Sequence, residues 1–314
     1  MTRIQKSKAK EWSGWKLSTF GLCCFVAGVT LTAWISEGTS EQYYLRQAES
    51  LFLNTNSTSS QETESKSSST PSCITSSSKV LADKIVIDYP KIRAQSKDAL
   101  DNLKGLTLEK NEKWLLSDPG KEHYTLLHYL TKTYHDTTKD CRHVADIGTR
   151  YVASSLALSA SGANVKTFDV PNSTERRMAF RGKTEDEWFE QVKQTSNGLV
   201  DIKFHNLDLL KISDQRFQNF MGDTWLILLD THHLPDTNPF EREWFARLAS
   251  IQPKFEGIVL LDDIHLNSEM EKWWKELQES ASEHGFQAFD VTPVGHFSGT
   301  GLLDFSGKVE IKPL

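Results

Sequence analysis

The sequence predicts an α/β domain on a doubly wound, seven-stranded sheet that ends in an antiparallel hairpin and is preceded by one transmembrane helix. Three observations carry that expectation. The runs WLILLD (225–230) and GIVLLDD (257–263) are apolar up to their acids, as parallel strands covered on both faces must be. Short apolar stretches alternate with helical ones over residues 143–305, which is the pattern of a parallel sheet wrapped by helices. Only the turn TPVGHFS (292–298) separates the last two strands, so the final strand runs antiparallel to its neighbour.

The 314 residues are 38% hydrophobic and 25% charged, with a mean hydropathy of −0.46. These values exclude a multi-span membrane protein and a collagen-like chain. A net charge of −6 argues against a nucleic-acid partner. Four cysteines (Cys23, Cys24, Cys73 and Cys141) are too few and too scattered for a disulfide scaffold or a Cys-rich zinc site.

Residues 1–16 hold five basic side chains, Arg3, Lys6, Lys8, Lys10 and Lys16, against Glu11. Residues 17–35 are uncharged, and as a helix they would span about 28 Å, close to the thickness of a bilayer's hydrocarbon core. Trp34 closes the run as an interface anchor, and the basic tail places the N-terminus in the cytosol. A cleaved signal peptide is the rival reading, with a shorter apolar run than this one. Residues 36–80 contain 20 Ser or Thr in 45 positions and no helical or strand period, the composition of a flexible stem. Sequons at Asn56-Ser57-Thr58 and Asn172-Ser173-Thr174 agree with a lumenal side. Tail, span, stem and a domain over 81–314 together describe a single-pass type II membrane protein of the Golgi or endoplasmic reticulum.

Within the domain, amphipathic helices are expected over 91–103 and 121–134, the second carrying Tyr124, Leu127 and Leu130 on one face. Strands are expected over 143–148, 164–170, 201–207, 224–230, 257–263, 285–291 and 299–305. Helices fall at 153–161, 185–195, 240–251 and 268–284, the last capped by Asn267. Of Trp273 and Trp274, one ring is expected against the sheet and the other at the surface.

Ligands of an open parallel sheet bind beyond the carboxyl ends of its strands, so the strand-end residues are the candidates. The first strand ends at Asp146, Gly148 and Thr149, where a glycine allows a tight turn into a helix N-terminus. The second ends in TFDV, placing Asp169 where a carboxylate can accept both hydroxyls of a ribose. The stretch DIGTRYVASSLALS followed by TFDV resembles the cofactor-binding half of class I S-adenosylmethionine-dependent methyltransferases, over roughly residues 121–305. The resemblance implies S-adenosyl-L-methionine as cofactor, with Asp146 and Gly148 under its methionine part and Asp169 at its ribose. Asp208, in HNLDLL, is a further candidate at the adenine end. Val152 stands where that family has a second glycine, and a valine there crowds the loop. There is no GxGxxG, GK[ST] or GxSxG to favour a nicotinamide, phosphate-loop or hydrolase alternative.

The fourth strand ends at Asp230, followed by Thr231, His232 and His233, and the fifth at Asp262 and Asp263, followed by Ile264 and His265. Asp and His are ordinary ligands of hard or borderline divalent ions. This resembles the metal-dependent O-methyltransferases acting on catechols, related diols and sugars, and implies Mg2+ or another divalent cation on Asp230, Asp262 and Asp263. That family's amide ligand falls on Ile264, which cannot ligate, leaving Asp262 or His265 to substitute. Its catalytic lysine falls on His233, a base for the proton of a substrate hydroxyl. His265 and His296 are candidate substrate contacts. The implied activity is methyl transfer to a hydroxyl of a glycan or small molecule at the surface of a bilayer crossed by residues 17–35. The alternative is a catalytically inactive methyltransferase-like interaction module.

Overall fold

A computed structural model describes residues 84–137, 142–170, 174–231, 233 and 239–314, all of which belong to the unit Pro71–Leu314. The tail, the anchor at 17–35 and the stem with its Asn56 sequon lie outside the described residues, as do Asn172, His232 and Cys141. Among the described residues no helix is long and apolar enough to cross a membrane.

The strands are β1 (Ile85–Asp88), β2 (His143–Ile147), β3 (Asn164–Asp169), β4 (Asp201–Asn206), β5 (Thr224–Leu229), β6 (Ile258–Asp262), β7 (Gln287–Asp290), β8 (Thr300–Asp304) and β9 (Val309–Lys312). Seven of them form one sheet in the order β4-β3-β2-β5-β6-β8-β7. All neighbours run parallel except β8, which is antiparallel to both β6 and β7. The expected closing hairpin is therefore present, and its second strand slots in next to β6. A separate parallel pair, β1 with β9, had no counterpart in the sequence reading because each strand has only four residues.

Alternation along each strand divides two cores, as a covered sheet demands. Val144, Val165, Leu226, Leu228 and Leu260 face one layer, which includes Leu127 and Leu130 of α4 (Tyr124–Thr137) and Leu156 of α5 (Ala153–Ser159). Ala145, Phe168, Ile227, Leu229 and Leu261 face the other, with Trp244 of α9 (Pro239–Ser250) and Trp273 and Trp274 of α10 (Ser268–His284). Both tryptophans are thus buried, contrary to the expectation of one surface ring: Gly301 of β8 leaves room for Trp274, and a Cβ there would lie 2.7 Å from its ring. Asn267 caps α10 as expected, accepting from the Glu269 and Met270 N–H groups.

The helix expected over 91–103 is broken. Asp88 caps α1 (Tyr89–Ala94), whose first turn carries Pro90, and Gln95 leaves the helix in extended conformation before the single turn α2 (Asp98–Asp101). Three short helices went unread: α3 (Glu109–Leu115), α6 (Thr174–Ala179) and α8 (Asp214–Met221). The expected helix over 185–195 is α7 (Glu185–Thr195), opened by a capping box between Thr184 and Glu187.

Candidate active site

The chain leaves β2 outward through β3 and β4, then returns to β5 on the other side of β2, so the crevice at their carboxyl ends is the sheet's switch point. Backbone bonds lace the strand ends there: Gly148 N–H donates to Phe168 O (2.9 Å) and Asp230 N–H to Ile147 O (3.0 Å). Gly148 has φ 93°, and a Cβ on it would lie 1.8 Å from the Asp230 carbonyl oxygen. Only glycine lets the β2 turn lie so close to the end of β5.

Asp146 is fully buried, and its Oδ2 accepts from the hydroxyls of Ser154 (2.9 Å) and Ser155 at the start of α5. Its Oδ1 is buried and has no partner. Burial pushes the carboxyl up to about 6, against the two serine hydroxyls that favour its ionised form. Thr149 is buried and donates to Asp146 O at 3.4 Å. At the end of β3, Asp169 Oδ1 accepts from Val170 N–H (2.8 Å), while Oδ2 is buried without a partner. Two neighbouring strands thus carry buried carboxylate oxygens without a hydrogen-bond partner near their carboxyl ends. Asp208 is placed differently: Oδ1 accepts from Leu210 N–H (2.9 Å) and Oδ2 pairs with Lys211 (2.9 Å), so its carboxylate closes a turn.

Val152 does not widen the loop. It precedes α5 with φ 61°, the left-handed conformation a glycine would take, and its side chain is fully buried in the first core. The strain stays in the backbone and the isopropyl group packs among apolar neighbours.

The acids of β5 and β6 meet a set of imidazoles. Burial, then the charges of Asp262 and Asp263, push Asp230 up to about 8. His233 is 9% exposed, with Nδ1 3.1 Å from Glu241 Oε1 and Nε2 3.6 Å from Asp263 Oδ2. Burial pulls its pKa down, but Glu241, Asp263 and Asp230 outweigh it, and the net is a rise above 6.5. Glu241 also accepts from the Thr231 hydroxyl and is held below the usual carboxylate range, its burial outweighed by these partners.

Asp262, 3% exposed, lies between two histidines: His123 Nδ1 at 3.1 Å and His296 Nδ1 at 3.2 Å from the same Oδ1. Burial opposes its ionised form, but His123 and His296 prevail and lower its pKa. Against burial, Asp262 raises His123 to about 9, and Asp262 with Asp263 raises His296 to about 11. Asp263 has φ 59°, which turns its side chain to the Ser298 hydroxyl and to His296 Nδ1 (3.1 Å). Glu122, raised by burial, lies 3.5 Å from His296 Nε2. Ile264 is fully buried, and His265 pairs with Asp290 (2.9 Å) instead of taking a ligand position.

The expected ligand set of Asp230, Asp262 and Asp263 is therefore not the one that converges. Among the described residues, the group whose ligand atoms lie within 4.8 Å of one another is His123, Asp262 and His296. His123 was read as part of an amphipathic helix, and nothing in its neighbourhood marks a partner 139 residues away. What brings it in is a clamp: Gly120 N–H donates to Gly295 O (3.0 Å), and Phe297 N–H to Lys121 O (3.3 Å). A Cβ on Gly120, at φ 89°, would meet Pro293 O at 2.9 Å, so a glycine is again what permits the approach. Glu241, on the first turn of α9, was also missed, eight residues beyond His233.

No family model matches the sequence, and no curated protein matches it. Among solved structures the chain is similar to a methyltransferase of Podospora anserina with bound S-adenosylhomocysteine, at 12% identity over 58% of this chain and 76% of that one, TM-score 0.37. It is also similar to the magnesium protoporphyrin IX methyltransferase of Synechocystis, at 14% identity, 68% and 92% coverage and TM-score 0.37. An O-methyltransferase of Bacillus cereus gives 16% identity, 69% and 90% coverage and TM-score 0.34. At these levels the likeness carries nothing about activity. What the structure shows is the strand order, a seven-stranded α/β sheet with a single reversed strand, as the resemblance to class I methyltransferases implied.

Proposed function

We propose that the chain is an S-adenosylmethionine-dependent O-methyltransferase acting on a hydroxyl of a glycan or small molecule. It is held in a membrane by residues 17–35, with its domain on the lumenal side of the Golgi or endoplasmic reticulum. The observation that carries the reading is the pair of buried, unpartnered carboxylate oxygens, Asp146 Oδ1 and Asp169 Oδ2, at the ends of adjacent strands beside the Gly148 turn. Buried acceptors without donors are rare enough to call for a ligand. An amino group and a ribose hydroxyl are donors of the right kind, so these residues fit the cofactor: Asp146, Gly148 and Thr149 hold its amino-acid end and Asp169 its ribose. S-adenosylmethionine bound there supplies an electrophilic methyl group.

The remaining work falls to the chain's own groups. His233 Nε2 accepts the proton of the acceptor hydroxyl, and Glu241 at Nδ1 fixes the ring and stabilises the imidazolium that forms. Asp230 lines the same rim. An open groove of about 710 Å3, lined by Arg93, Lys121, His265, Asp290 and the exposed ring of Phe297 among others, supports a polar acceptor with an apolar face. Phe297 packs edge-on against His296, so the groove adjoins the histidine cluster.

Calorimetry of the full chain in detergent with S-adenosylhomocysteine tests the cofactor site. Saturable binding is expected, weakened roughly 10–100-fold in Asp169→Ala, the cost of a lost charge-assisted hydrogen bond. A folded chain that binds nothing sinks the reading and leaves the interaction module. Resistance of the full chain to alkaline carbonate extraction checks the anchor, and its release into the soluble fraction would overturn it.

A further inference from the structure

Three segments distant in sequence deliver His123, Asp262 and His296 to one point at the carboxyl end of β6. His123 and Asp262 are buried, at 2% and 3% exposure. Their ligand atoms all fall within 4.8 Å of one another, and both Nδ1···Oδ1 separations are 3.1–3.2 Å. A tetrahedral ion with bonds of about 2.0–2.1 Å holds its ligand atoms about 3.4 Å apart. Short nitrogen-to-carboxylate separations of this size are therefore the edges of such a site, reached with small adjustments.

We propose that His123, Asp262 and His296 form a three-ligand site for a divalent transition metal of the zinc class, with a fourth position open to water or to an acceptor oxygen. Two imidazole nitrogens and one carboxylate suit Zn2+ and its first-row neighbours, whereas Mg2+ prefers oxygen ligands and retained water. One further observation supports the assignment. Glu122 Oε2 stands 3.5 Å from His296 Nε2, the far nitrogen of a ligating ring, where a carboxylate commonly orients a metal-bound histidine. The ligand set differs from the all-carboxylate one that the family resemblance implied, and it requires no S-adenosylmethionine, so it stands apart from the methyl-transfer reading.

The test uses the full chain in detergent, stripped with a chelator and dialysed against Zn2+, Co2+ or Mg2+, with bound metal measured by elemental analysis. One Zn2+ or Co2+ per chain is expected, with Mg2+ in large excess failing to displace it. Bound Co2+ should show the strong visible absorption of a tetrahedral nitrogen and oxygen site without thiolate charge-transfer bands, which sets the four cysteines aside. His123→Gln and His296→Gln should each weaken Zn2+ binding by more than the ~10–100-fold that loss of an outer-shell partner costs. Asp230→Asn should retain the metal. Circular dichroism confirms that each variant is folded, and the partly exposed His296 is the variant least expected to disturb packing. Binding that survives both histidine substitutions in folded protein, or that is lost in Asp230→Asn but kept in them, would overturn the proposal, as would a wild-type chain with no bound Zn2+. S-adenosylhomocysteine binding measured on the same samples shows separately whether the methyl-transfer reading holds.

Discussion

Single residues decide how the crevice is built. Val152 is a β-branched residue at φ 61°, a conformation costing about 1–2 kcal/mol for any side chain with a Cβ. Its buried isopropyl group offsets that cost. Val152→Ala gives up most of the burial and keeps the strain, while Val152→Gly loses the burial and the strain together. The expected order of stability in urea unfolding therefore has Ala below Gly by roughly 1 kcal/mol, the reverse of the usual helix ranking. Finding Ala the more stable would show that the left-handed turn is not retained. His233 is governed by Glu241. Glu241→Gln removes the charge at Nδ1 while preserving shape, so kcat should fall by ~100-fold or more with little change in KM. In the proposed role of base His233 works deprotonated, so activity should rise with pH through its raised pKa. Without Glu241 that pKa drops, and the acid limb of the rate profile moves to lower pH. An unmoved limb would mean that Glu241 acts only as a structural support.

At the scale of elements, the sheet carries its own acid sensitivity. His205 of β4 stacks on Phe168 with ring centres 5.0 Å apart. Burial, followed by the nearby cations Lys203, Lys166 and Arg216, lowers its pKa to about 4. In the unfolded chain the value returns to 6.5, so between pH 6.5 and about 4 the unfolded state binds the extra proton. Stability should fall as pH drops through that window, and His205→Phe should flatten this part of the profile of unfolding midpoint against pH. An unchanged slope in the variant would assign the loss to other groups. β5 and β6 were legible from sequence because they are apolar on both faces, and like β2 and β3 they end within one or two residues of the expected limits. The short helices α3, α6 and α8 and the edge strands β1 and β9 were not, because four to eight residues hold too few periods to stand out from a loop.

At the scale of the whole molecule, the rim is assembled from the ends of β2, β3, β5 and β6, the start of α9, the loop before α4 and the turn before β8. Each contributes one or two polar side chains, and the clamp between Gly120 and Gly295 and between Lys121 and Phe297 ties the last two together. One consequence is that His123 and His296, 173 positions apart in the chain, have ring centres 5.7 Å apart. Another is that the two halves of the crevice differ in kind. The β2 and β3 side carries Asp146 and Asp169 with no imidazole at their carboxylates, whereas on the β5 and β6 side Asp262 lies against His123 and His296, and Glu241 against His233.

The sequence alone determined the class of fold, the strand ends that hold the polar groups, and the positions of Asp146, Gly148, Asp169, Asp230, Asp262 and His233. It could do so because burial on both faces forces apolar runs, and an acid at the end of such a run has nowhere to go but the rim. Tertiary structure decided which of those groups face one another. It brought His123 and His296 to Asp262, gave Asp208 to a turn, set Glu241 behind His233 and absorbed Val152 into the core. Those outcomes depend on long-range approach of backbones and on a few left-handed residues. Local periodicity records neither, because contacts between distant segments leave no regular spacing in the chain.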